Sequence, residues 1–270
     1  IRQLQQPPQQ PLFIGYGVGK PHLPWFLPKA YFDRYPLDSV QLPAVLQGDL
    51  DDVPEAARKL VNEYQHKDII RHGFWKKAVQ AYLASITFAD EQLGRVLTAL
   101  RQSPLGGNTL VVLWSDHGWH LGEKLQWRKL TLWEEATRIP LVFSGPGVPA
   151  GQRIHAPASL LDIYPTLAGL AGLPLPAGMD GHDLRPLLAN PSAAWPHAAL
   201  TCWQKDGKTH VAARSSDWRL IRYADGTEEL YDHRHDPHEW HNLAGKPGYE
   251  DARRALAARI DDWLAGPRGG

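Results

Sequence analysis

Apolar positions recur most regularly over residues 74–100. There Trp75, Val79, Tyr82, Leu83, Ile86, Ala89, Leu93, Val96, Leu97 and Leu100 follow helical steps, and Lys76, Lys77, Asp90, Glu91 and Arg95 fall largely off that stripe. The spacing predicts a long amphipathic helix whose stripe faces a core. Gly106-Gly107-Asn108 ends it and leads into Thr109-Leu110-Val111-Val112-Leu113-Trp114, an uncharged run. Such a run predicts a strand buried on both faces, as in a parallel sheet. Helix followed by buried strand is the αβ unit of a doubly wound sheet.

The same reading places a short buried strand at Leu12-Phe13-Ile14, a short helix over 28–35 and a surface loop over 37–54. A further strand is expected over 139–143, with Pro140 at its start or edge. Helical spacing returns over 159–170, and Asp180-Gly181-His182-Asp183 reads as a turn and cap before a helix ending near Leu188. From Ala198 the pattern alternates. Residues 210–214, 218–223 and 228–231 read as antiparallel strands, with Ala224-Asp225-Gly226-Thr227 as a hairpin turn. A last amphipathic helix covers 253–264, with Leu256, Ile260, Trp263 and Leu264 on one face. The expected fold class is α/β: a partial doubly wound mixed sheet flanked by helices over 1–193, then a small α+β subdomain with an antiparallel sheet and C-terminal helix over 194–270.

Composition narrows the partners. The 270 residues carry 29 basic and 29 acidic side chains, so bulk charge points to neither nucleic acid nor a membrane surface. No apolar run reaches the length of a membrane span and no signal peptide is visible. The single cysteine, Cys202, excludes an internal disulfide framework and is expected to be a small buried hydrophobe. The chain starts at Ile1 rather than Met and passes from a Gln- and Pro-rich stretch straight into an apolar segment. The expectation is a piece of a longer protein.

Chemistry gathers where the 109–114 strand ends, in Ser115-Asp116-His117-Gly118. Ligands in open α/β sheets lie outside the carboxyl ends of strands. Asp116 and His117 offer one hard oxygen and one nitrogen to a divalent cation. Lys124, Arg128 and Lys129 follow and could meet an anionic substrate. Lys20 and His22 lie in a loop after the first expected strand, stiffened by Pro21 and Pro24. Four histidines lie within 233–241, but their spacing matches no closed zinc motif and cysteine partners are absent, so a structural turn is expected.

The run SDHGWHLGEKLQWRKLTLWEEATRIPL over 115–141 resembles the type I sulfatases of the alkaline phosphatase superfamily, nearest the iduronate-2-sulfatase-like branch. The segment 15–24, with Lys-Pro-His, is similar to a strand-end segment of that branch. The resemblance implies hydrolysis of a sulfate ester, the leading substrate being a sulfated carbohydrate. It implies a formylglycine nucleophile, made within Cys/Ser-x-Pro-x-Arg, and a calcium ion. By motif, Asp116 and His117 would be metal ligands. His22 would hydrogen-bond the sulfate or protonate the leaving oxygen, and Lys129 would bind sulfate oxygens. Lys20, Lys124, His120 and Trp127 would line the substrate pocket. The resemblance also implies a C-terminal subdomain with a four-stranded antiparallel sheet, and a periplasmic, extracellular or lysosomal setting; the chain itself leaves the compartment open.

Neither Cys/Ser-x-Pro-x-Arg nor the family's N-terminal Asp-Asp metal pair has a counterpart in these residues. The expectation is therefore a C-terminal part that is inactive alone and works with a missing N-terminal half. Two alternatives stay open: a phosphonate or phosphate monoester hydrolase of the same superfamily, and a non-catalytic anion- or sugar-binding module.

Overall fold

The computed structural model describes residues 1–6 and 10–266. In chain order its helices are α1 (Lys29–Phe32), α2 (Glu55–Arg58), α3 (Glu63–Arg71), α4 (Trp75–Arg101), α5 (Glu134–Thr137), α6 (Ile163–Leu170), α7 (Arg185–Ala189) and α8 (Glu250–Ala265). The strands are β1 (Val111–Trp114), β2 (His120–Leu121), β3 (Trp127–Arg128), β4 (Leu141–Ser144), β5 (Ala199–Lys205), β6 (Lys208–Arg214), β7 (Trp218–Arg222) and β8 (Glu228–Asp232). The chain divides into two compact units: residues 1–44, 63–112 and 143–146 form one, and 45–62, 113–142 and 147–270 the other.

In the first unit α4 is the long helix that the apolar spacing predicts. Its buried positions are Val79, Ala81, Ala84, Ser85 and Leu100, while Ile86 is exposed. Of the expected stripe only Ile86 is exposed, and polar side chains of α4 also face the α1 region. The Tyr31 hydroxyl donates to Glu91 Oε2 at 2.6 Å, and Gln80 Nε2 donates to the Tyr35 carbonyl at 2.7 Å. Tyr31 also meets Phe88 edge-on at 5.4 Å. The strand expected at Leu12-Phe13-Ile14 does not form; Phe13 is 86% exposed. A strand is held by a neighbour's hydrogen bonds, and among the described residues none pairs with this segment.

β1 and β4 pair in a two-stranded sheet, and the division between the units runs through both strands. The expectation of burial on both faces is also corrected: along β1, Leu113 and Trp114 are exposed. One hydrogen-bonded neighbour covers less of a strand than the interior of a wide sheet does.

The second unit is built on the antiparallel sheet β5-β6-β7-β8. Lys205 pairs with Lys208, leaving Asp206 and Gly207 as a two-residue turn, both at positive φ. That is the hairpin geometry matching the right-handed strand twist. Alternate residues serve two cores. Ala212, Ile221, Tyr223 and Tyr231 pack with Leu50, Val53, Ala57, Leu132 and Trp133. Val211, Ala213, Leu220 and Leu230 pack with Leu256, Ala257 and Ile260 of α8. The expected surface loop over 37–54 is thus partly core, since Leu50 and Val53 cover one face of this sheet. Cys202 lies on β5 and is exposed, not buried. Among the described residues no helix is long and apolar enough to cross a membrane.

Candidate functional site

β1 delivers Asp116 and His117 to its carboxyl end. The turn that follows is possible because Gly118 has no side chain: a Cβ there would stand 2.0 Å from the Glu135 carbonyl oxygen and 2.9 Å from that of Arg138. The Gly118 amide donates to the Ala136 carbonyl at 2.8 Å, so the strand end is stapled to α5. The Asp116 side chain is 86% exposed, and its Oδ2 lies 3.7 Å from His117 Nε2. His117 Nδ1 sits 2.8 Å from the Gly118 carbonyl. A proton on Nδ1 donated to that carbonyl leaves Nε2 as the lone-pair nitrogen, the arrangement in which a metal-ligating histidine is oriented from behind. One carboxylate and one oriented imidazole nitrogen therefore fit part of a divalent-cation shell.

Trp119 joins this strand end to Lys129. The His117 ring stacks on Trp119 at 6.0 Å between centroids, and Lys129 Nζ lies 5.7 Å from the same indole centroid. Imidazole and ammonium thus share one buried tryptophan, and the Asp116 carboxylate stands beside the imidazole. In the first unit, Lys20 Nζ donates to the Pro24 carbonyl, and His22 Nδ1 lies 2.8 Å from the Leu23 carbonyl. Both residues sit in the loop after the N-terminal segment.

Three expected substrate-lining residues are corrected by burial. Lys124 is 1% exposed; its ammonium donates to Asp49 Oδ1 at 2.6 Å and to the Glu239 carbonyl, and lies 5.4 Å from the ring centroids of Trp133 and Tyr231. His120 is fully buried with Nε2 2.8 Å from Thr131 Oγ1, and burial pushes its imidazole down to about 3, so it stays neutral. Trp127 is buried in the β2–β3 hairpin opposite Leu121. The sequence spaces these side chains beside Lys129, but the tight hairpin turns them into the unit's interior.

Behind the hairpin lies a charge network that sequence reasoning missed. Glu239 is wholly buried and accepts from His233 Nε2 at 2.8 Å and from the Glu134 amide at 2.9 Å, while Arg219 Nε lies 2.5 Å away. Burial alone would raise its carboxyl, but Arg219 and His233 outweigh that and hold it at about 2. Arg219 also pairs with Glu134, and Arg214 Nε lies 3.4 Å from the same carboxylate. Glu134, His233 and Glu239 converge closely enough to suggest a metal. Two arginines already balance the two acids, so the cluster is an ion-pair network. The histidine-rich stretch is structural: His235 Nδ1 meets Asp232 Oδ2 at 3.0 Å, and His238 stacks on Trp240 at 4.6 Å. Glu135 differs from its neighbours: its Oε2 is buried without a hydrogen-bond partner, and burial, with Glu239 nearby, raises its carboxyl to about 8. The isolated signal for this network was the run Trp133-Glu134-Glu135, two acids directly after a core tryptophan.

Comparison with known proteins identifies the scaffold. A phosphonate monoester hydrolase from Silicibacter pomeroyi superposes with a TM-score of 0.74 at 25% identity, over 90% of this chain and 53% of its own. A protein solved with its substrate D-glucosamine-2-N,6-O-disulfate superposes with a TM-score of 0.63 at 28% identity, over 75% of this chain and 44% of its own. The fold is accordingly the alkaline-phosphatase-like α/β class, followed by a small antiparallel sheet and a C-terminal helix. Residues 1–173 match the sulfatase family model, and residues 122–265 match the model for the C-terminal part of N-sulphoglucosamine sulphohydrolase. The chain belongs to the sulfatase family. A sulfatase from Formosa agariphila is 42% identical over 256 residues, covering 93% of this chain and 50% of that protein. Iduronate 2-sulfatase of Mus musculus is 35% identical over 202 residues, covering 62% of this chain and 37% of that protein. The chain thus spans half or less of the length of these relatives.

Proposed function

We propose that this chain supplies the C-terminal part of a sulfate-ester hydrolase of the iduronate-2-sulfatase-like branch, and that a carbohydrate sulfate is its substrate. The observation that carries the reading is the strand-end pair of Asp116 and an oriented His117, with His117 and Lys129 both against Trp119, set within a sulfatase family sequence. A sulfate monoester spreads negative charge over its oxygens, so catalysis calls for fixed positive groups and a hard cation. Asp116 and His117 would hold part of a calcium site, where the ion would polarise the sulfate oxygens. The formylglycine nucleophile that this reading needs would come from the N-terminal half, since no Cys/Ser-x-Pro-x-Arg occurs in these residues.

Lys129 binds a sulfate oxygen; its ammonium lies 5.7 Å from the Trp119 indole centroid. His22 hydrogen-bonds the ester or protonates the leaving oxygen. Lys20 is a substrate-pocket residue by motif. The domain reading places the sulfatase catalytic layer in residues 1–193 and the antiparallel subdomain in 194–270. The substrate class draws on the glucosamine disulfate neighbour, and the branch on the iduronate 2-sulfatase relative.

The test uses the full-length protein against 4-methylumbelliferyl sulfate and a glucosamine 6-sulfate, each with and without added calcium. Calcium-dependent release of sulfate supports the reading. A second reading, phosphonate monoester hydrolysis, is favoured by the close superposition on the Silicibacter pomeroyi enzyme. Turnover of phenyl phenylphosphonate with none of either sulfate ester would replace the first reading with the second.

A further inference from the structure

The segment that carries Lys129 has an unusual backbone. Lys124, Leu125, Arg128 and Leu130 all have positive φ, at 53°, 54°, 72° and 77°. Residues with side chains seldom occupy that region, and such conformations persist only where the surroundings over-determine them. Four in seven positions therefore require strong local restraints, and the second unit supplies them. At one end of the hairpin, the Lys124 ammonium is locked by Asp49 and the Glu239 carbonyl. The Leu121 amide donates to Glu123 Oε2 at 2.6 Å, and the Gly122 amide to the Gln126 carbonyl at 3.0 Å. At the other end, His120 meets the Thr131 hydroxyl.

Gln126 is the restraint nearest Lys129. Its side chain is buried, and both ends of its amide are engaged. Oε1 accepts from the Asn62 amide at 2.9 Å, and Nε2 donates to the Lys129 carbonyl at 3.1 Å. One primary amide thus ties the Lys129 main chain to the segment before α3, between two left-handed residues. A carboxylate could accept from Asn62 but could not donate to Lys129, so the glutamine is chosen for its two-sided chemistry.

We propose that Gln126 is a positioning residue that fixes the Lys129 main chain, and with it the direction of the ammonium, while the buried Lys124–Asp49 pair anchors the other end of the hairpin. This inference rests on the sulfatase reading for the role of Lys129, but the restraint itself is independent of any activity.

The experiment uses the full-length protein and two variants. Gln126→Glu keeps the size and the acceptor but removes the donor to Lys129; Gln126→Ala removes both. Hydrogen–deuterium exchange is followed over residues 123–131 and, as internal reference, over β5 to β8. The proposal expects exchange in 123–131 to rise at least tenfold in both variants with the reference sheet unchanged. It expects kcat/KM for a sulfate ester to fall at least tenfold in Gln126→Glu while the melting temperature stays within a few degrees. Unchanged exchange in 123–131, or an equal rise in the sheet, overturns the proposal. A loosened hairpin with undiminished turnover overturns it too, because Lys129 would then not need the clamp. If the unsubstituted protein hydrolyses no sulfate ester, the sulfatase reading fails, and the exchange result alone decides the restraint.

Discussion

Replacing Glu239 by Gln removes one negative charge from a site with no solvent exposure while keeping the side chain's size. In the native arrangement the carboxylate faces the Arg219 guanidinium at 2.5 Å, accepts from His233 at 2.8 Å and caps the Glu134 amide at 2.9 Å. The substitution leaves buried Arg219 with Glu134 as its remaining carboxylate partner. Breaking a buried ion pair from one side costs about 3–5 kcal/mol, because the other charge stays desolvated. Linkage supplies a second figure. The carboxyl is held at about 2 against an ordinary 4.5, which corresponds to about 3 kcal/mol of stabilisation. A depressed carboxyl contributes fully above its ordinary range and loses that contribution as pH falls from 4.5 toward 2. The difference between Glu239→Gln and the unsubstituted chain is therefore largest at neutral pH and shrinks below pH 4.5. Urea denaturation followed by tryptophan fluorescence at pH 7 and pH 3 reads both. A loss under about 1 kcal/mol at pH 7, or a difference that does not change with pH, would refute the ion-pair account.

Other consequences can be checked in the same way. Glu135 has the opposite sign: a carboxyl raised to about 8 costs stability as pH rises from its ordinary range toward 8. Glu135→Gln should thus gain stability relative to the parent across that window, by at most about 5 kcal/mol at its upper end; equal pH profiles would exclude a buried, unpaired carboxyl. Lys124→Met should cost about 3–5 kcal/mol by stranding Asp49, and much of that should return in Lys124→Met with Asp49→Leu, as a thermodynamic cycle measured by denaturation would show. Gly118→Ala should cost about 2 kcal/mol or more, since its Cβ would meet the Glu135 carbonyl oxygen at 2.0 Å; a variant with unchanged melting temperature would mean that the strand end has room to shift.

Elements that depend on local pattern were legible in the chain. The 3.6-residue period gave α4 and α8, and alternation with Asp225-Gly226 gave the β7–β8 hairpin. The uncharged run before Asp116 gave β1. What periodicity cannot carry is which face finds a partner. On α4 the apolar spacing did not show that Gln80 and Glu91 bond tyrosines at and after α1, a tertiary choice of polar side chains. Residues 45–54 look like an acidic loop, yet Leu50 and Val53 cover one face of the antiparallel sheet and Asp49 becomes the counter-ion of Lys124. Basic side chains are equally ambiguous: Lys124 and Lys129 stand five residues apart, and only the left-handed turn at Lys124 and Leu125 sends the first into the interior. The place of Asp116-His117-Gly118 at a strand end was readable because they follow an uncharged apolar run. The Glu239–Arg219 network was not, because its members come from four separate segments.

The most direct test of the central claim is the turnover of a sulfate ester by the full-length protein and its Lys129→Ala and Asp116→Ala variants, with folding checked by circular dichroism. The account predicts calcium-dependent turnover that falls at least a hundredfold, about 3 kcal/mol in transition-state stabilisation, in each variant with the fold retained. Turnover within threefold of the unsubstituted protein in both variants would contradict it.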